Sequence, residues 1–348
     1  MTPRERQLAS IRHELPDRIS GDAIAIENLD KVAAFLGIDK KGVYEALGID
    51  GRYAGARYLG EVKPPINGVS FTEWGTPSTG DYGTGRFYPF ARAESLAEIE
   101  RYHWPDSARY DYASAAQNAR QLADRYAVRG PYWQPLFCRV CDLLGMENAM
   151  IKMVSEPALF EAVLERAFIH TLEYCRRLLA ACGDALHILC LGDDFATQRG
   201  MMISPEQWRR FLKPRYAQLF ALGKEMDKPV WFHSCGDITP VLGDLIDIGV
   251  DVWETVQLHT LPMSAERLKA TYGKHVTFFG GVNTQRLPFV KPAAVREQVL
   301  RCIEVLGKGG GYICGPDHHI KPDVPAENVV ALYETVRRFR GAGYSSGS

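Results

Sequence analysis

His233-Ser-Cys235-Gly236 closes the apolar run Pro229-Val230-Trp231-Phe232. An imidazole and a thiol two residues apart, just past a buried strand, sit at one backbone corner and can converge on one point. Nitrogen plus sulfur is a ligand pair that zinc prefers. A second metal-capable group follows another glycine-led apolar run, in Gly311-Tyr-Ile-Cys314-Gly-Pro-Asp-His318-His319. Two such groups at two strand ends predict one site assembled from distant sequence. Each also has a plain structural reading: a cysteine near a strand end serves as a small buried hydrophobe, and His319 as a solvent-facing neighbour of His318. Adjacent side chains diverge on an extended backbone, which would keep His318 and His319 from entering the site together.

The elements that must position these residues follow a regular alternation from about residue 130 onward. Short apolar runs at 132–137, 186–191, 229–233, 251–256, 276–280 and 310–314 read as strands. Between them lie helical segments at 138–153, 157–181, 204–226, 238–248, 264–273, 291–307 and 325–340. Ser204-Pro205-Glu206 is a capped helix start, with proline at the first helical position. Near-continuous apolar strands alternating with helices indicate a parallel sheet covered by helices. The number of units suits a closed α/β (β/α)8 TIM barrel spanning residues 1–340 as a single domain, and no G-x-G-x-x-G follows a strand. Residues 21–26 read as the first barrel strand. The stretch 51–90 is rich in Gly, Tyr, Pro and Thr and reads as a loop or hairpin insertion near the barrel mouth, where Trp74, Tyr82, Arg86 and Phe87 could form an apolar lid. The end, 341–348, reads as a disordered tail.

Barrel enzymes carry their chemistry at the C-terminal ends of the strands. Those ends offer Asp193, Asp194 and Gln198; His233, Cys235 and Asp237; Glu254 and Gln257; Asn283 and Gln285; and Cys314 through His319. Several strands thus deliver titratable or amide groups to one rim. The alternatives are structural: the two aspartates could cap a loop, Asn283 and Gln285 could satisfy loop backbone, and Glu254 could pair with a surface lysine.

Composition narrows the classes. With 348 residues, 46% of them hydrophobic, the chain has ample material for a large core. A formal net charge of −1 supplies no bulk field for nucleic acid or anionic lipid. The N-terminal stretch is charged at helical spacing, lacks the apolar core of a signal peptide, and no later segment approaches a membrane span, so a cytoplasmic protein is expected. Eight cysteines are too sparse for a disulfide scaffold and fit reduced thiols. Cys138-Arg-Val-Cys141 has no partner C-x-x-C and reads as structural.

Taken with Gly280-Gly-Val-Asn-Thr-Gln285, Ile203-Ser-Pro-Glu-Gln-Trp208, Leu212-Lys-Pro-Arg-Tyr216 and His318-His-Ile-Lys-Pro-Asp-Val-Pro-Ala-Glu-Asn328, the H-S-C-G motif makes the chain resemble the uroporphyrinogen decarboxylase superfamily over nearly its whole length. The resemblance implies the same barrel. It also separates two branches. True decarboxylases carry an arginine-rich R-Q-A-G-R-Y-L-P stretch for substrate carboxylates; the comparable segment here is Leu15-Pro-Asp-Arg18-Ile-Ser-Gly-Asp22, with one arginine. The other branch, the zinc-dependent corrinoid-linked methyltransferases of the coenzyme M type, is similar in its H-x-C motif. That likeness implies Zn2+ on His233, Cys235 and His318, with Cys314 as the alternative third ligand, and leaves a fourth position open, as in catalytic zinc sites. It implies methyl transfer to or from a corrinoid (cobalamin), demethylation being the reverse direction. The chain lacks a D-x-H-x-x-G corrinoid module, so a separate corrinoid protein or free cofactor would bring it. Asp193, Asp194 and Glu254 then become catalytic candidates, and Gln198, Gln257, Asn283, Gln285 and Arg86 substrate-binding ones, for a small-molecule methyl donor or acceptor; a homodimer is compatible. The alternative is a metal-free, decarboxylase-like carboxy-lyase on a smaller substrate.

Overall fold

The computed structural model describes residues 1–78 and 87–339. Eight strands form one parallel sheet: β1 (Ser20–Gly21), β2 (Gly51–Tyr53), β3 (Ala127–Pro131), β4 (Ile188–Gly192), β5 (Val230–His233), β6 (Val252–Val256), β7 (Thr277–Val282) and β8 (Tyr312–Pro316). Their order runs β1-β8-β7-β6-β5-β4-β3-β2, so the two shortest strands are the sheet edges and meet where the barrel closes. Asp50 joins that seam. Its backbone N–H donates to the Gly21 carbonyl at 2.9 Å, while its carboxylate accepts from the Gly21 N–H at 3.1 Å and the Ser20 hydroxyl at 3.0 Å. Arg6 and Arg18 neutralise the same buried carboxylate. Arg18, the one arginine of the Leu15–Asp22 segment, is therefore a seam residue.

The period of two along each strand sorts side chains into two layers. Ala127, Ile188, Cys190, Trp231, Val252, Phe279 and Ile313 point into the barrel, with Ile11 of the helix Pro3–Ile11 packed among them. Their neighbours Val128, Leu189, Phe232, Trp253, Phe278, Tyr312 and Cys314 belong to the larger cluster packed against the helices. Inside the barrel, Arg129 is fully buried and grips Asp22 with Nη1 and Nη2, at 2.5 and 3.1 Å. Its guanidinium lies over the rings of Tyr53 and Trp231, 4.0 and 4.6 Å from their centroids. Gly51 makes room for the pair, since a Cβ there would overlap Arg129 Nη1 and Asp22 Oδ2.

Several boundaries differ from expectation. The strand expected at 132–137 lies earlier, at Ala127–Pro131, and Phe137 already begins the helix Phe137–Leu144. The cause is Asp193, whose carboxylate accepts the backbone N–H groups of Leu136, Phe137 and Cys138 and so caps that helix. The helix expected at 204–226 is two, Pro205–Phe211 and Lys213–Glu225, the second opening with Pro214 near its start. The first strand shrinks to Ser20–Gly21, followed by an isolated bridge from Ile26 to Ile320. Within 51–90, β2 is followed by isolated bridges Ile66–Val69 and Phe71–Pro77. Tyr82 and Arg86 lie outside the described residues, as does the segment 341–348. Among the described residues no helix is long and apolar enough to cross a membrane.

Candidate active site

β5 ends by turning His233 inward, two residues after Trp231. On β6, one strand over, Glu254 stands beside it in register and is likewise directed inward. Glu254 Oε1 lies 2.7 Å from His233 Nδ1, and its other oxygen accepts the indole N–H of Trp231. Glu254 is fully buried and pairs with the histidine, so the alternative of a surface lysine partner falls away. A carboxylate on Nδ1 fixes the tautomer and leaves Nε2 as the reactive nitrogen. Nε2 faces Asp194 Oδ1 at 3.6 Å. Burial opposes a charge on His233, yet the Glu254 hydrogen bond and the nearby carboxylates outweigh it and raise its pKa above the ordinary histidine value.

Cys235 follows two residues later, its backbone N–H donating to Asp194 Oδ1 at 2.9 Å. Burial first, and the Asp194 charge second, push its thiol upward, so it is held protonated. Gln257 Oε1 accepts the Gly236 N–H at 2.8 Å and pins the H-S-C-G turn. Gly236 adopts φ 82°, and a Cβ there would strike the backbone of Thr197. Cys235 and Gln257 line a cavity of about 480 Å³ at the barrel mouth, together with Thr197, Gln198, Thr284, Gln285, Phe289, His318, His319 and Lys321.

The His318 ring lies 6.1 Å from that of His233, and burial lowers its pKa to about 4, so it is a neutral imidazole near pH 7. His319 lines the same cavity, its ring 5.0 Å from that of His318, and its Nδ1 is 3.1 Å from Glu27. Both histidines reach the mouth because the backbone bends after β8 and is not extended there.

The remaining candidates separate. Asp193 is fully buried and saturated by Tyr216 Oη at 2.6 Å and the three helix amides, so it caps a helix and only Asp194 of the pair faces the mouth. Cys314 is directed outward between Tyr312 and Cys302, in the layer packed on the helices, so the structure does not bring it to His233. Asn283 Oδ1 accepts the Gln285 N–H at 2.9 Å and shapes its turn, as its structural reading expected. Trp74 is no lid: it is buried under the Arg139 guanidinium and against His170. Cys138 and Cys141 are free, buried thiols on one helix.

Sequence reasoning missed the partners of one rim residue and the placement of two rings. Asp317, fully buried, accepts the N–H and hydroxyl of Thr284 and stands 3.3 Å from His259 Nδ1, tying three strand ends together next to His318. Tyr132 and Trp133, read as part of a strand, instead present their rings edge-on to His233, at 5.9 and 5.7 Å. The first could have been sought in the acid preceding His318; no spacing announces the second.

Comparison with known proteins adds the family. The family model for Uroporphyrinogen decarboxylase (URO-D) matches residues 82–339. The chain belongs to that family. It is 26% identical over 251 residues to the uroporphyrinogen decarboxylase of Pelobacter propionicus, covering 70% of each chain. It is 25% identical over 255 residues to that of Methylococcus capsulatus, covering 71% of this chain and 70% of the other. Among solved structures, a methyltransferase from Methanosarcina mazei is similar with a TM-score of 0.65 at 19% identity, covering 97% of this chain and 98% of that one. That last likeness shows the barrel fold.

Proposed function

We propose that this uroporphyrinogen decarboxylase family member is a methyltransferase that moves a methyl group between a corrinoid, free or on a partner protein, and a small-molecule thiol, ether or amine. Zn2+ would be held by His233, Cys235 and His318. The observation that carries the reading is the state of His233: its Nδ1 is committed to a buried carboxylate, and its Nε2 is turned toward Asp194 at the mouth. Buried carboxylate–histidine pairs of this kind orient metal-binding imidazoles.

The donors suit zinc in kind, two imidazole nitrogens and one sulfur. Among the described residues no three His, Cys, Asp or Glu groups are already gathered at ligand spacing. The fit therefore rests on donor chemistry and on the orientation of His233, and the Cys235 thiol, which is hydrogen-bonded to Asp194, would have to leave that bond to serve. When bound, zinc supplies Lewis acidity and lowers the pKa of a coordinated thiol or the cost of an anionic leaving group.

The chain's own residues do the rest. Asp194, which accepts the Cys235 N–H, would take the thiol proton if sulfur served as a ligand. Glu254 holds His233 in one tautomer, and Gln257 fixes the turn between the two ligands. Gln198 and Gln285 offer neutral amides to a substrate in the cavity. No arginine lines that cavity among the described residues, and its one lysine, Lys321, is bonded to Glu27 at 2.7 Å. A polyanionic porphyrinogen would find little charge to meet it, which disfavours the decarboxylation carried in the names of its relatives. For the alternative, a carboxy-lyase on a smaller substrate, Asp194 is the one aspartate of the pair placed to handle a proton.

The test is methyl transfer itself. Zinc-supplemented protein incubated with methylcob(III)alamin and a panel of small thiols should bleach the methyl–cobalt absorbance faster than a protein-free control. The reverse assay uses cob(I)alamin with methyl ethers and methylamines. Control-level rates in both directions, with zinc present, would overturn the reading.

A further inference from the structure

Tyr132 stands one residue beyond β3 with φ 88°. That left-handed conformation is unfavourable for a bulky aromatic residue, and such strain persists where surrounding structure enforces it. Here its backbone N–H donates to the Cys190 carbonyl at 2.8 Å, and its ring packs edge-on against Tyr53 at 4.9 Å and His233 at 5.9 Å. The backbone distortion thus delivers one phenol to the inner face of the candidate site. The two phenols there differ. Tyr53 Oη accepts from Arg129 Nη2 at 2.7 Å, whereas Tyr132 Oη makes no hydrogen bond among the described residues. Tyr132 also keeps part of its surface accessible. Burial, and next the charge of Glu254, keep its hydroxyl protonated. It is therefore a donor without a protein acceptor, at a partly accessible position where a ligand atom can take the bond.

We infer that Tyr132 is a substrate-contacting residue whose hydroxyl donates a hydrogen bond to an oxygen or sulfur atom of the ligand bound against His233. The inference rests on the reading that the barrel end around His233 is the reacting site. It adds a ligand class: an oxygen or sulfur centre that is an anion, or becomes one, attached to a body that packs on aromatic rings. A neutral phenol stabilises such an atom as its negative charge develops, as oxyanion donors do. Protonated methylamines, whose nitrogen goes only from cationic to neutral on losing a methyl cation, would draw less from it.

The probe is p-nitrophenolate at mildly alkaline pH, an oxygen anion on an aromatic ring whose absorbance responds to hydrogen bonding. The wild-type chain should bind it saturably with a shifted band. Tyr132→Phe should weaken binding by about ten-fold or more, the scale of a hydrogen bond to a charged acceptor, and lose the band shift. Equal affinity in the two proteins, or no saturable binding by the wild-type chain, overturns the inference. Zinc content measured on the same samples separates the two claims. Tyr132-dependent binding without zinc would uphold this inference while sinking the metal reading. Zinc with a Phe variant indistinguishable from wild type would do the reverse.

Discussion

Glu254→Gln is the substitution that most sharply probes how the site is held. In the native protein this fully buried carboxylate accepts two buried donors, Trp231 Nε1–H and His233 Nδ1–H, the latter at 2.7 Å. Glutamine keeps the shape but has one acceptor oxygen, and its NH2 must face the other donor. Two outcomes are open to the molecule. If His233 keeps its tautomer, one buried N–H loses its partner, at about 1–3 kcal/mol of folding stability. If His233 switches tautomer to accept from the amide, Nε2 becomes an N–H and loses the lone pair that a cation needs. Either way zinc affinity should fall by about 10–100-fold, the usual effect of removing the group that orients a ligating histidine. The assays are urea unfolding of metal-free protein and a zinc competition titration. A variant with wild-type stability and wild-type zinc affinity would refute the role given to Glu254.

Other consequences of the same structure can be checked on stability alone. Arg129→Met should cost about 3–5 kcal/mol by stranding the Asp22 carboxylate in the barrel, and adding Asp22→Leu should recover much of it; equal losses in the single and double variants would contradict this on chemical denaturation. Gly51→Ala should fail to fold or lose several degrees in Tm, because its Cβ overlaps the Arg129–Asp22 pair; an unchanged melting curve would show that the pair can shift. His170, buried between Tyr110 and Pro105, has its pKa lowered by burial from 6.5 to about 4. The unfolded chain therefore takes up this proton first, so stability falls as pH drops from about 6.5 toward 4, by at most about 3 kcal/mol. His170→Gln should make the pH profile shallower in that window, where His187 and His318 also contribute, and an identical slope in variant and wild type would rule the contribution out.

The back half of the barrel was legible because its strands are continuous apolar runs between helices with clear starts. β5 to β8 and their helices fall within a few residues of the expected positions. β1 and β2 are too short for any periodicity to show, and their pairing depends on Asp50 reaching across the seam. The Tyr132–Phe137 run looked like a strand, but a carboxylate supplied from β4 caps a helix there, and that contact has no local trace. Composition also could not say which of Asp193 and Asp194 faces inward, since both are acids and only backbone direction divides them. Cys314 shows the same limit. Ile313 and Cys314 are both apolar, so the sequence carries no polarity signal for which enters the barrel; the sheet register sends Ile313 inward and Cys314 to the helices. The structure brings His233, Cys235, Glu254 and Gln257 together; they were legible as candidates because each lies in or just past an apolar strand run. Tyr132 and the Asp317–His259 pair were not, because their roles arise from backbone conformation and from contacts between loops.

Zinc content of the purified protein, measured by elemental analysis beside Cys235→Ser and Cys314→Ser, addresses the central claim most directly. The account predicts about one zinc per chain in the wild type and in Cys314→Ser, and its loss in Cys235→Ser with the barrel intact by circular dichroism. A Cys235→Ser protein with undiminished zinc, or a wild type without zinc after purification free of chelators, would contradict it.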